Sequence, residues 1–308
     1  MNANYSSIKS STGSMNSTSK VHLINANYFQ HNFRTNKSEV NSILNDVIRS
    51  YKLNDAQERA FRIVAHHAAT INPLQLKMLL NGMAGTGKTQ VIKALIEMFK
   101  RKGESHRFLV LGLTGTSAAL LNGSTYHSAL GIRIKSSKET GMSDGNSTTV
   151  LADVTERLSG VDYIFLDKIS MVACHELYAI SARLSTVTKV FDLPFGGINM
   201  IFAGDFAQLP PTTGVSLYNN SVSGMLDVNM SVRQQENTIG KLLWQQVTTV
   251  VILKKNMRQT EPGDVDMKLR TALENMQYAA CTAEDIDFLK TRVASQKDGH
   301  PNLTDVRF

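Results

Sequence analysis

Cysteine is scarce: Cys174 and Cys281 are the only two in 308 residues, and they lie far apart in the chain. That excludes a zinc site built from cysteine and argues against a disulfide framework, which fits a reducing compartment. Long apolar runs are also missing. No stretch approaches the ~18 residues of a membrane span, and the N-terminal MNANYSSIKSSTGSMNSTSK has no apolar signal core, so neither membrane insertion nor secretion is expected. These 20 residues hold seven Ser, three Asn, two Lys and no acid. They carry too little apolar surface to offset the entropy of ordering, and residues 1–38 read as a flexible Ser/Asn-rich tail. No internal repeat is visible.

Hydrophobic residues make up 42% of the chain and charged residues 19%. That is enough for one large α/β domain with attachments, or for two domains. Thirty-three basic against 26 acidic residues give a net charge of +7. The charge is uneven: residues 1–150 hold 18 Lys/Arg and 8 Asp/Glu, a balance of 18 − 8 = +10, which suggests a polyanionic partner. Charge on an ordinary solvated surface is the plainer explanation, with about equal weight from charge alone.

Between Glu39 and His67, Val40, Ile43, Leu44, Val47 and Ile48 recur at helical spacing, and Asn54 precedes a second run through Ala60, Phe61 and Val64. A strand is expected over Leu76–Asn81 and a helix over Lys88–Arg101, with Val91, Ile92, Leu95, Ile96 and Phe99 on its buried side. Further short apolar strands read at Phe108–Thr114, Tyr163–Asp167, Met200–Ala203 and Val250–Leu253. Strands separated by stretches of crossover length predict an α/β fold, a parallel sheet covered by helices. Residues 135–149 are polar and read as a surface insertion.

GMAGTGKT, residues 82–89, matches the phosphate-binding loop pattern and falls between an expected strand and an expected helix. Gly82, Gly85, Thr86 and Gly87 supply backbone N–H groups and turns. Lys88 reaches terminal phosphates, and Thr89 offers a hydroxyl to magnesium. Asp167, closing an apolar strand, stands where a second metal ligand belongs. Lys168 follows it, although hydrolysis of a terminal phosphate needs a base that orients water. GDFAQLPP, residues 204–211, places a polar pair at a strand end before a rigid turn, and Gln208 can face the nucleotide. LKKNMRQ, residues 253–259, presents the Arg258 guanidinium after another strand.

Together these segments resemble the superfamily 1B helicases, specifically the petite integration frequency (PIF) family and its transposon-borne relatives, with RecD more distant. The matching features are Gln57 in LNDAQ, the loop 82–89, LTGTSAA at 113–119 continuing to GSTYHS at 123–128, DKISM at 167–171, and the segments at 204–211 and 256–259. The resemblance covers about residues 39–308. It implies a RecA-like P-loop motor that uses Mg·ATP, that is ATP with Mg2+, to move 5′→3′ on single-stranded DNA and open duplex junctions. The implied setting is DNA repair, recombination or telomere maintenance in the nucleus.

By the same resemblance Gln57 reads adenine, Thr114, Thr116, Thr125 and His127 line the DNA track, and Gln208 and Arg258 address the terminal phosphate. From the residues alone, the hydroxyls of that track serve equally well as helix caps. The resemblance divides the chain into a motor domain over residues 39–255 and the opening of a second RecA-like domain over 256–308. The family's further second-domain motifs are not met before Phe308, and unwinding by these residues alone is not expected. Where the family has a Glu beside the magnesium-binding Asp, this chain has Lys168. The competing reading is therefore a degenerate, transposon-derived chain that binds nucleotide or DNA without unwinding. A P-loop kinase or an unrelated NTPase is disfavoured, because segments 125–128 and 256–259 have no reason to occur together there.

Overall fold

A computed structural model describes residues 22–23, 38–119, 121, 123–132, 148–222, 229–257 and 264–292. Arg258, residues 1–20 and most of the 135–149 insertion lie outside these residues.

Seven strands form one sheet in the order β1-β7-β2-β6-β5-β3-β4, and every pairing is parallel. They are β1 (His22–Leu23), β2 (Lys77–Gly82), β3 (Phe108–Gly112), β4 (Ser124–Thr125), β5 (Tyr163–Asp167), β6 (Asn199–Gly204) and β7 (Thr249–Leu253). Four of the five strands expected from sequence shift by one or two residues, and β5 has the expected bounds. Residues 22–23, assigned to the tail by composition, instead pair with Thr249 and Val250 at one margin of the sheet.

The helices are α1 (Ser38–Ser50), α2 (Asp55–Ala69), α3 (Lys88–Arg101), α4 (Gly115–Ala119), α5 (Tyr126–Leu130), α6 (Thr148–Arg157), α7 (Cys174–Thr188), α8 (Val232–Gln245), α9 (Asp264–Gln277) and α10 (Ala283–Lys290). Thr148 and Thr149, read as the end of the polar insertion, open α6. The helices pack on both faces of the sheet. One core joins α1, α2 and α3 to the sheet through Leu44, Phe61, Leu95 and Phe99, and the other joins α5, α7 and α8 through Tyr126, Leu177 and Leu243. Because α3 buries Val91, Ile92, Ala94, Leu95, Met98 and Phe99, Leu95→Ala should cost ~2–5 kcal/mol and loosen the helix that carries the phosphate loop.

All seven strands run one way, so their carboxyl ends share one edge of the sheet. In open α/β sheets that edge is where ligands bind. The loop at 82–87, Asp167, Asp205, the segment after Leu253, residues 113–119 and the Thr125 end of β4 all emerge there.

Candidate nucleotide and nucleic-acid site

The phosphate loop is built by its glycines and held from outside. Gly85 and Gly87 have φ of 84° and 86°, the left-handed region that side chains disfavour. A Cβ on Gly87 would also stand 2.1 Å from Gln57 Nε2. Thr86 is fully buried, its hydroxyl donating to the Met83 carbonyl at 2.8 Å. Lys88 Nζ donates to the carbonyls of Gly82 and, at 3.0 Å, Met83.

No side chain caps the N-terminus of α3, and its first turn holds no acid. By contrast, α2, α8 and α10 each begin with a capping box. The positive end of α3 is thus left for an anion.

Gln57, the adenine reader by resemblance, is tied into the protein by two bonds. Its Oε1 accepts from the Asn54 N–H at 3.1 Å and its Nε2 donates to the Thr86 carbonyl at 3.0 Å. One side chain therefore completes the cap of α2 and clamps the loop. The Asn-x-x-Gln spacing of a capping box was the sequence signal for the first of these roles. The loop is also tied from the far side, where the Met257 N–H donates to the Gly85 carbonyl at 2.7 Å and the Asn54 amide meets Met257 Sδ at 3.6 Å. Arg258 follows Met257 directly.

The pairings Asn81↔Gly204 and Asp167↔Ala203 set β6 between the phosphate-loop strand and the Asp167 strand. Burial raises the Asp167 carboxyl above its ordinary range, while the Lys168 N–H and the charges of Lys168 and Lys88 pull it down. Lys168 adopts a left-handed conformation at φ 61°, and its ammonium reaches Gln208 Oε1 at 3.5 Å. Its side chain thus runs into the site. Asp205, 5% exposed, accepts from the Ala207 N–H at 3.1 Å and from Gln277 Nε2 at 3.3 Å. Sequence gave no sign of Gln277, which arrives from the end of α9.

The donor set fits a magnesium nucleotide. Thr89 is exposed on the first turn of α3, Asp167 is half-buried across β6, and Asn81 Oδ1, just before Gly82, is buried without a partner. Among the described residues no group of three His, Cys, Asp or Glu could hold a metal unaided.

On the other flank, Gly112↔Thr125 pairing sets the end of β3 beside β4. Two of the sequence-assigned hydroxyls there, those of Thr114 and Thr125, act as caps. Thr114 Oγ1 accepts from the Ser117 N–H at 3.2 Å and lies 3.1 Å from Thr116 Oγ1, and Thr125 Oγ1 accepts from the Ser128 N–H at 3.3 Å. Thr114 and Thr116 are nevertheless exposed. The His127 ring lies 3.8 Å from that of Tyr126; burial lowers its pKa and the charge of Glu176 raises it. Buried Tyr126 donates to Glu176 Oε1 at 2.9 Å, which fixes this corner to the start of α7. Three to four strand spacings, ~14–19 Å, separate these residues from the phosphate-loop strand.

The sequence model of the PIF1-like helicase family matches residues 52–277. Among curated relatives, uncharacterized protein 030L of Invertebrate iridescent virus 6 is 26% identical over 244 residues, covering 73% of this chain and 41% of that one. The ATP-dependent DNA helicase Pif1 of Bdellovibrio bacteriovorus is 36% identical over 138 residues, covering 44% and 29%. The chain thus spans less than half the length of either relative. The fold matches Pif1 helicase from Candida albicans with a TM-score of 0.57 at 21% identity, over 79% of this chain and 48% of that one. It also matches Bacteroides Pif1 bound to ssDNA, with a TM-score of 0.54 at 24% identity over 78% and 49%.

Proposed function

The chain belongs to the PIF1-like helicase family, and from that premise we propose that it binds Mg·ATP and single-stranded DNA and hydrolyses ATP as the first motor domain of a 5′→3′ helicase, duplex opening needing the second-domain motifs as well. The observation that carries this reading is the convergence at one sheet edge of the Gly85–Gly87 loop, the uncapped α3 and Asp167, with β6 between. Lys88 leaves the Gly82 and Met83 carbonyls to meet the terminal phosphate, and the loop N–H groups hold the phosphates that precede it. Thr89 and Asp167 would hold magnesium, which when bound neutralises charge on the phosphate oxygens. Gln208, whose side-chain oxygen lies 3.5 Å from the Lys168 ammonium, orients the attacking water, while Arg258, the residue after Met257, adds positive charge.

A second reading is favoured by Lys168. Its ammonium lies 3.5 Å from the Gln208 side-chain oxygen and cannot accept a proton, so the chain holds ATP but hydrolyses it slowly. DNA repair, recombination or telomere maintenance in the nucleus is the setting we assign. Calorimetric titration with Mg·ATP tests the core of the proposal: wild type should bind and Lys88→Ala should not. A folded wild-type protein that gives no binding heat would sink it.

A further inference from the structure

An aromatic ladder runs out of the core toward the ligand edge. Phe202, fully buried in β6, meets Trp244 of α8 at 5.6 Å between ring centroids. Trp244 meets Phe206 at 5.4 Å, and Phe206 meets Tyr218 at 5.5 Å, all in edge-to-face geometry. Such contacts lock each ring against the next. The last ring, Tyr218, is 51% exposed.

The loop that carries it is held on both sides. The Cys174 N–H donates to the Val215 carbonyl at 2.8 Å and Ala173 bridges Ser216, while Lys241 Nζ donates to the Asn219 carbonyl at 2.7 Å. Residues 173–176 are also the anchor of Tyr126, through Glu176. Tyr218 is therefore fastened to the flank that carries Thr125 and His127, away from the α2 side of the phosphate loop.

We propose that Tyr218 is a stacking platform for an unpaired nucleobase, extending the nucleic-acid track from β4 across the start of α7. This rests on the DNA-binding reading above. A half-exposed, pre-ordered ring can stack on any base, since every base has a π-face, and it loses little side-chain entropy on binding. Lys241, held beside the same loop, adds positive charge for the strand that carries the base.

The test titrates wild type, Tyr218→Phe and Tyr218→Leu with oligothymidylate and with an abasic phosphodiester strand of equal length. Trp244, the only tryptophan, reports the ladder by its emission. Leu still covers Phe206 but offers no aromatic face, so thermal melting of that variant should match wild type. Tyr218→Phe should bind oligothymidylate within about twofold of wild type. Tyr218→Leu should lose about fivefold or more, the low end of base stacking, with its abasic affinity unchanged. Undiminished oligothymidylate binding by Tyr218→Leu, or equal losses on both strands, overturns the platform. A Trp244 response to ATP but not to oligothymidylate overturns it as well. Wild type that binds neither strand removes the DNA reading itself, and the platform with it.

Discussion

At the residue scale the most consequential side chain is Lys168. It lies directly after a candidate metal ligand, takes a left-handed backbone and sends its ammonium to Gln208. A positioned base in its place is worth ~10²–10⁴ in rate. In a protein that also supplies the second-domain half of the ATP site, Lys168→Glu is therefore expected to raise single-stranded-DNA-stimulated ATP hydrolysis by at least about tenfold, measured by phosphate release; equal rates there would return the position to tolerated variation. The phosphate loop itself was legible in the sequence, because its chemistry is fixed by local spacing alone. Gln57 was legible as a residue of the nucleotide site, whereas its clamp on Thr86, 29 positions away, leaves no local trace. The hydroxyls of Thr114 and Thr125 were open between capping and phosphate contact, and the structure shows the capping.

At the element scale, the edge of the sheet opposite the ligands carries its own polar joint. His67 Nε2 lies 2.7 Å from the Leu74 carbonyl, which can only accept, so Nε2 bears the hydrogen and Nδ1 accepts from the Tyr163 hydroxyl at 2.7 Å. Burial lowers the pKa of His67 against the raising effect of that carbonyl, and burial with the Arg62 charge lowers that of His66. A histidine depressed in the folded state stabilises it above the unfolded value of 6.5. That contribution is lost as pH falls through the folded pKa. Urea midpoints should fall as pH drops below about 6.5, and His67→Gln should fall less steeply; parallel slopes would deny the histidine its part. Long amphipathic elements such as α3 were readable because 14 residues of 3.6-period pattern suffice. The two-residue strands β1 and β4 and the five-residue helices α4 and α5 are too short for any period to register.

At the scale of the whole molecule, the parallel sheet and its common edge followed from alternating elements, but the strand order did not. Nothing local says that β6 separates β2 from β5, or that Gln277 reaches Asp205 across 72 positions. The charge asymmetry is likewise a whole-molecule property. With +10 in residues 1–150, binding to single-stranded DNA should weaken steeply with salt, with a logarithmic slope of about −0.7 per neutralised phosphate. Affinity unchanged between low and physiological salt would remove the electrostatic contribution.

Nucleotide chemistry driven by Lys88 and answering to DNA is the central claim, and single-turnover ATP hydrolysis with and without single-stranded DNA tests it most directly. Slow hydrolysis that accelerates with DNA and disappears in Lys88→Ala is the expected result. A rate indifferent both to DNA and to Lys88→Ala would contradict it.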